Sequence, residues 1–453
     1  MKLNKKLLST GVLAASLFAG QAYGAVSAAE ASKLGDSLTP MGAEKAGNGG
    51  EIPAWTGGLT TPPADYKGDG IYVNPFPDEK PKFTIDQSNV GQYEDKLSRG
   101  QVAMIKKYDD YFMPVYESHR SAAYPKDVMD ETVANATSVE LIKDGNGLGN
   151  YQTATPFPVP QNGLEAIWNH ITRYRGGSVQ RNVGQVTPTA DGSFSVVKFQ
   201  DELTWRTYLE DYKPGEDPNV LFYFKQAITG PARLAGNVLL VHETIDQVAE
   251  PRRAWVYNAG QRRVRRAPQV AYDGPGTASD GMRTSDNFDM FNGAPDRYNW
   301  ELVGKKEMYI PYNSYKLVDR SLDYDQIVKA GHINQDLTRY ELHRVWHVRA
   351  TLKEGERHIY AQRDFYIDED TWQASVIDHY DGRGELWRVA EAHSMQFYDQ
   401  VVPWYAIETL YDLLSGRYLA LGLTNEENDP YQFGVERRSR DYTPAALRRS
   451  GTR

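Results

Sequence analysis

The regular alternation of residues 339–352 constrains the fold of this chain more than any other feature. In RYELHRVWHVRATL the even-numbered positions are apolar apart from Arg344, and the odd-numbered positions are mostly polar. Successive side chains of a β-strand point to opposite faces, so the pattern predicts a strand with one buried face. Short polar segments then separate similar patterns at 357–367, 371–380 and 385–398. These segments predict an antiparallel meander.

Earlier parts of the chain carry the same period of two. Strands are predicted at 219–229, 233–245, 253–257, 262–266 and 308–318. Helical spacing of apolar residues predicts helices at 92–113, 164–171 and 404–414. This order predicts an α+β fold, with a large antiparallel sheet that must curl or close.

The elements divide the chain into four parts. Residues 1–24 precede the folded protein, and residues 25–217 are predicted to form an extended and helical region that packs on the sheet. Residues 218–425 are predicted to form the antiparallel sheet with its terminal helix. The polar tail, residues 426–453, is expected to be mobile.

The first 24 residues have the pattern of a secretory signal peptide. Lys2, Lys5 and Lys6 precede a short apolar run at 7–20, and small residues follow it. The run is too short to span a bilayer, which takes about 20 apolar residues. The chain has no cysteine, so it lacks the residue that carries the lipid of a bacterial lipoprotein. We expect cleavage after Gly24 and a periplasmic protein without a transmembrane segment.

Composition and motifs narrow the function. The formal net charge is -9, which makes nucleic acid an unlikely partner. The sequence has no G-x-S-x-G elbow, no H-E-x-x-H, no phosphate-binding glycine loop and no dinucleotide fingerprint. We therefore expect a protein that is not an enzyme and needs no cofactor.

Six segments resemble a known family. They are SLTPMGAEKAGNGGEIPAWTGGL, VYESHRSAAYP, PFPVPQNGLEAIWNH, QRRVRRAP, GKKEMYIPYNSYKL and RYELHRVWHVRATLKEGERHIYAQRDFYIDEDTWQ, which follow one another between residues 37 and 373. They resemble the bacterial domain-of-unknown-function family 1329, itself similar to the periplasmic lipoprotein carriers of the LolA/LolB type. The resemblance implies that residues 218–425, the half-barrel region, form a large curved antiparallel sheet as a half-open barrel, with helices that cover its concave face and an apolar cavity. It also implies partnership with outer-membrane proteins or with exporters of the resistance-nodulation-division (RND) class. Lipoprotein carriers are much shorter, so the residues before 218 are an addition of open role.

Two arginines on apolar strand faces suggest a ligand site. If Lys353 to Glu356 form a four-residue turn, Trp346 faces Arg363 and Arg344 faces Phe365. Arginine stacks on aromatic rings and holds carboxylate or phosphate groups. The predicted ligand-binding residues are therefore Tyr340, Arg344, Trp346, Arg363 and Phe365. The alternative is that the two arginines form structural ion pairs with acids of the N-terminal region.

A second group of arginines lies in the segment RRAWVYNAGQRRVRRAP, residues 252–268. The arginine hairpin, as we call this segment, carries Arg252, Arg253, Arg262, Arg263, Arg265 and Arg266. In an acidic chain such a cluster could dock an acidic partner or anionic head groups. The alternative is a solvated strand face whose arginines pair with nearby acids.

No metal site is predicted. His343 and His347 share the polar face of one strand, but residues four apart in a strand are about 13 Å apart. The aspartate-rich loop with Asp273, Asp280, Asp286 and Asp289 lacks the spacing of a calcium loop.

Three functions remain open on this evidence. The first is a periplasmic, non-catalytic binding or carrier protein for a hydrophobic ligand, such as a lipid or fatty acid, that could be anionic. The second is an envelope interaction subunit that uses the arginine hairpin to dock an RND-type exporter or an outer-membrane protein. The third is a lipid or polyester hydrolase with an unrecognised site, which a screen with chromogenic esters would test.

Overall fold

One open sheet of 16 strands forms the centre of the computed structural model. The structure describes residues 25–216, 219–247, 249–268 and 270–450. The predicted signal peptide, residues 1–24, lies outside the described residues. Among the described residues, no helix has the length and apolar character needed to cross a membrane.

The helices are short and the strands are long. The helices are α1 (Ala28–Ala31), α2 (Arg99–Lys107), α3 (Lys126–Asn135), α4 (Gly163–Thr172), α5 (Tyr324–Ile327) and α6 (Pro444–Ser450). The strands are β1 (Phe83–Ile85), β2 (Met113–Val115), β3 (Glu140–Ile142), β4 (Gly147–Gly149), β5 (Ser178–Val186), β6 (Val197–Trp205), β7 (Phe222–Gly230), β8 (Val238–Glu243), β9 (Arg253–Asn258), β10 (Arg263–Arg266), β11 (Tyr298–Pro311), β12 (Tyr340–Leu352), β13 (Gln362–Asp368), β14 (Ala374–Tyr380), β15 (Leu386–Phe397), β16 (Val402–Asp412), β17 (Tyr418–Leu423) and β18 (Tyr431–Phe433).

The sheet confirms the predicted fold class. Its order is β1-β2-β12-β13-β14-β15-β16-β17-β5-β6-β7-β8-β9-β10, with β11 beside β12 and β18 beside β5. The pairs are antiparallel apart from β2 with β12, and the sheet does not close. The meander from β12 to β15 is confirmed, because these strands follow one another in both sequence and space.

The predicted helix at 404–414 is wrong, because these residues lie mainly in strand β16. All 11 residues of β16 are buried, including Glu408 and Asp412. A strand that is covered on both faces shows no alternation of apolar and polar residues, so its sequence is easily mistaken for a buried helix. The half-barrel region therefore does not end in the helix predicted there.

The sheet also begins before residue 218. β5 and β6 pair over eight residue pairs from Ser178 to Gln185, and they join β17 to β7. Sequence analysis missed them because their inward positions include charged residues, Arg181 and Asp201, which satisfy each other at 3.1 Å between Nε and Oδ2. The region before residue 218 is thus part of the sheet as well as a cover for it.

The first predicted long helix is shorter than expected. Two 3₁₀ turns occupy Val90–Gln92 and Glu94–Lys96, and α2 begins after Ser98. Ser98 and Gln101 form a capping box, which fixes the start of the helix. α4 agrees with its prediction, and the side chain of Asn162 caps its first turn.

The polar tail was expected to be mobile, but it packs on the sheet. β18 pairs with β5, and α6 contacts β8, β9 and β10. Tyr442 is fully buried and stacks on Tyr223 with ring centroids 5.0 Å apart. The tail therefore contains buried aromatic and aliphatic residues that outweigh its polar composition.

Candidate ligand cavity

Side chains of the protein itself cover the part of the sheet where the ligand site was predicted. The hairpin between β12 and β13 is longer than four residues, so Ala350 pairs with Arg363 and Val348 pairs with Phe365. The predicted register is wrong by four residues. Because four is even, each side chain still points to its predicted face.

Arg363 is held by an ion pair in the interior. Its Nη2 donates to Oδ2 of Asp286 at 2.6 Å and to Oη of Tyr298 at 3.1 Å. Burial alone would raise the pKa of Asp286, but Arg363 and His358 hold that pKa well below its ordinary value. The ion-pair interpretation thus fits Arg363, with an acid from the aspartate-rich loop in place of one from the N-terminal region.

The other predicted ligand residues also have partners within the protein. Arg344 donates to Oε1 of Glu369 at 3.3 Å and lies 3.6 Å from a carboxylate oxygen of Glu44. Tyr340 donates to Oε2 of Glu391 at 3.0 Å. These contacts use the polar atoms that would otherwise bind a ligand.

The two remaining residues pack against aromatic rings. Phe365 lies 5.5 Å from the ring of Phe291, between centroids, and Trp346 stacks on Trp372 at 6.3 Å. Nζ of Lys305 lies 4.6 Å from the ring centre of Trp346. This part of the face is a filled core.

The covering loop, residues 270–297, crosses the same face of the sheet. Its Asp289 binds Arg173 at 2.6 Å, between Oδ1 and Nη2, and also forms an ion pair with Arg175. Its Asp286 binds Arg363. Two of the four aspartates considered as calcium ligands, Asp286 and Asp289, thus neutralise buried arginines.

A narrow apolar cavity lies further along this face, between the covering loop and strands β7 and β8. Cross-strand pairs place Phe365 and the cavity residue Phe224 on the same face of the sheet. The cavity has a volume of about 50 Å³. Its apolar wall includes Phe222, Phe224, Leu239, Val241, Val270 and Phe288. None of the five predicted ligand residues lines this cavity, although Phe365 lies on the same face of the sheet.

Arg283 gives this cavity its chemical character. The side chain belongs to the covering loop, lines the cavity and is 3% exposed. Its Nε and Nη1 atoms have no hydrogen-bond partner. Two groups form an ion pair when nitrogen and carboxylate oxygen are at most 4.0 Å apart. In the described part of the chain, no carboxylate is that close to the guanidinium of Arg283. Burial lowers the pKa of Arg283, and the charges of Glu408 and Asp201 oppose that shift from a greater distance.

A second cavity adjoins the first and is wider. It has a volume of about 630 Å³, and both cavities have Arg252 in their walls. Arg253 and Arg266 also line it, together with small apolar residues such as Ala254. The arginine hairpin thus forms one rim of the larger cavity.

The six hairpin arginines fall into two groups. Arg252 binds Glu243 at 2.7 Å and Arg253 binds Glu250 at 3.1 Å, between nitrogen and carboxylate oxygen. The other four, Arg262, Arg263, Arg265 and Arg266, are exposed on the turn and on the edge strand β10. The guanidinium of Arg266 lies 5.1 Å from the ring centre of Trp255.

Sequence analysis missed Arg283, because its segment GMRTSD has the composition of a solvent-exposed loop. One signal was available. The loop carries five aspartates and four glycines but also contains Met282, Phe288, Met290 and Phe291, which an exposed loop does not need. Those four residues pack in the core or against it.

These features define an α+β protein with one open antiparallel sheet and an apolar cavity beneath a covering loop. The model of the family "Protein of unknown function (DUF1329)" matches residues 84–448, so the chain belongs to this family, as its motifs predicted.

The chain is similar to the uncharacterized protein PA3922 of Pseudomonas aeruginosa, with 68% identity over 455 residues and 100% coverage of both chains. Two solved structures resemble it more distantly. One is a domain from Vibrio parahaemolyticus named for outer-membrane lipoprotein sorting, with 13% identity, 63% coverage of this chain, 98% coverage of that chain and a TM-score of 0.43. The other is a DUF1329 family protein from Desulfovibrio piger, with 14% identity, coverage of 60% and 92%, and a TM-score of 0.42. Structural similarity at this sequence identity and TM-score gives no information about what this chain binds.

Proposed function

We propose that this protein is a periplasmic, non-catalytic binding or carrier protein for an amphiphile with an apolar chain and an anionic head group. The observation that carries the proposal is Arg283, a buried guanidinium that lines an apolar cavity and has no acidic partner at ion-pair distance among the described residues. Buried charges are normally paired, because an unpaired charge in a low-dielectric interior is costly. A carboxylate or phosphate from a ligand would supply the missing partner.

The two cavities suit the two ends of such a molecule. A volume of about 50 Å³ can hold a head group and the first carbons of a chain, but it is well below the several hundred Å³ of a complete ligand site. The wider cavity of about 630 Å³ lies next to it and could take the rest of the chain. Arg252 is in the wall of both cavities.

Native mass spectrometry of the mature protein, purified from the periplasm, tests this proposal, followed by solvent extraction and lipid analysis. We expect one anionic amphiphile per chain. If the protein carries no ligand and decanoate does not bind to it in isothermal titration calorimetry up to millimolar concentration, the proposal is wrong.

A second candidate function is docking to an anionic envelope partner through the arginine hairpin. The observation that favours it is the group of four exposed arginines, for which the described residues provide no ion pair. Unpaired like charges along an edge strand repel one another until an anionic surface approaches them. Such a surface could belong to an RND-type exporter or an outer-membrane protein. This function is compatible with the first one, because the hairpin borders the larger cavity.

A further inference from the structure

A second cluster of functional groups lies on strands β12 and β13 and the turn after them. None of its residues lines either cavity. His343 of β12, Asp368 at the end of β13 and Asp370 in the following turn each offer one ligand atom, and these atoms lie within 4.8 Å of one another. The three residues are between 0% and 4% exposed. Zn–N and Zn–O bonds are about 2.0–2.2 Å long, so the three side chains need to approach one another by less than about 2 Å to bind one ion.

One ring nitrogen of His343 contacts a carboxylate. Its Nε2 lies 3.1 Å from Oε2 of Glu341, so a proton on Nε2 is held by that carboxylate. This leaves Nδ1 with its lone pair, and no described residue forms a hydrogen bond with Nδ1. Metal-binding histidines characteristically donate their second ring nitrogen to a carboxylate, which fixes the tautomer and the ring.

Asp368 is a buried carboxylate without a cation. It accepts hydrogen bonds from the backbone nitrogen and the hydroxyl group of Thr371, but among the described residues no basic side chain forms an ion pair with it. A cation at this point would remove the cost of this buried negative charge.

Tyr312 provides an independent sign of a ligand. Its ring stacks on His343 with centroids 3.9 Å apart, and the residue is 3% exposed. Its hydroxyl group has no hydrogen-bond partner among the described residues.

Arg120 does not prevent a cation from binding. It donates from Nε to Oδ2 of Asp370 at 2.9 Å and from Nη2 to Oδ1 at 2.6 Å. A carboxylate has about four lone-pair positions, and the guanidinium uses two of them. Arg120 therefore orients Asp370 and leaves a lone pair on each oxygen for a metal ion.

We propose that His343, Asp368 and Asp370 bind one divalent transition-metal ion. One imidazole nitrogen and two carboxylate oxygens form a donor set that suits Zn²⁺, with Mn²⁺ as the next candidate. The ion would link β12 to the turn between β13 and β14. Its role would be structural, because the three ligands are buried away from both cavities.

The experiment uses the full mature chain, stripped with EDTA and then titrated with ZnCl₂ or MnCl₂. We expect one ion per chain in isothermal titration calorimetry and elemental analysis, and a melting temperature several degrees higher with the ion. D368N should lose this shift, while its metal-free melting temperature should equal or exceed that of the metal-free wild type. H347Q is the matched control, because His347 lies on the same strand but pairs with Asp364, and it should bind the metal normally.

Two outcomes would overturn the proposal. In the first, neither ion binds to the stripped wild type or changes its melting temperature. In the second, D368N and H343Q bind the ion as tightly as wild type, which would place the metal elsewhere in the chain.

Discussion

The guanidinium of Arg363 donates from Nη2 to Oδ2 of Asp286 at 2.6 Å, and both side chains are buried. An aspartate of the covering loop thus forms an ion pair with an arginine of the sheet, and both are buried. Asp289 of this loop does the same for Arg173 and Arg175. Arg283, in the same loop, receives no such partner, and this contrast between paired and unpaired buried arginines is the basis of the proposed function.

Removal of one partner of the Arg363–Asp286 pair should destabilise the protein strongly. We expect R363M to lower the free energy of unfolding by about 3–5 kcal/mol, because it leaves the buried carboxylate of Asp286 without its main cation. Urea denaturation followed by tryptophan fluorescence measures this change. The double variant R363M/D286L should lose less than the sum of the two single variants. Additive losses would show that the two groups do not depend on each other.

The same substitution at Arg283 should have the opposite effect. R283M removes a buried charge that has no ion-pair partner, so we expect the free energy of unfolding of the ligand-free protein to rise by about 1–3 kcal/mol. R363M is the matched control in the same denaturation experiment. A large loss of stability in ligand-free R283M would mean that the protein itself satisfies this guanidinium, and the argument for an anionic ligand would fail.

Glu391 should make stability depend on pH. Burial raises its pKa to about 7, although Gln101, Tyr340 and Tyr111 donate hydrogen bonds to it. The folded state therefore holds this proton more tightly than the unfolded state, so the contribution is present at low pH. It is lost as the pH rises from about 4.5 to about 7.

E391Q cannot lose that proton. We expect its stability relative to wild type to increase between pH 5 and pH 8, by about 2 kcal/mol over the range. Denaturant titrations at several pH values measure the difference, with E94Q, an exposed site, as the control. A constant difference between E391Q and wild type across this range would contradict the raised pKa.

Reversal of the exposed hairpin arginines should separate docking from folding. We expect R262E/R263E/R265E/R266E to abolish pull-down of an envelope partner and to change the free energy of unfolding by less than about 1 kcal/mol, because exposed and unpaired charges contribute little to stability. K67E/K80E/K107E/R383E makes the same change of charge at exposed positions elsewhere and should retain the partner. Equal loss in both variants would indicate a general charge effect.

Local sequence patterns predicted the strands well where one face of the strand is exposed to solvent. The strand at 339–352 and the arginine hairpin strands were found within a few residues, because alternation and turn residues are visible in the sequence. β16 and the pair β5 and β6 were not found. In β16 both faces are buried, and in β5 and β6 the inward positions include Arg181 and Asp201, whose partnership exists only after folding.

The site was harder to predict than the sheet, for a reason that Arg363 and Arg283 illustrate. Both are arginines that fold into an apolar interior, and sequence alone selected Arg363 because its strand is regular. Whether a buried arginine meets an acid depends on the path of the covering loop, which no local pattern specifies. The family resemblance supplied the fold, and the structure supplied the position of the cavity.

The preference of the protein for a charged head group tests the central claim most directly. Calorimetric titration with decanoate and with 1-decanol compares two ligands that share a ten-carbon chain and differ in charge at one end. We predict that wild type binds decanoate about 10-fold or more tightly than 1-decanol, in line with a charge-assisted hydrogen bond worth about 1.5–3 kcal/mol. In R283M this preference should fall to within about threefold. Equal affinity of wild type for the two ligands, or an unchanged preference in R283M, would contradict the account.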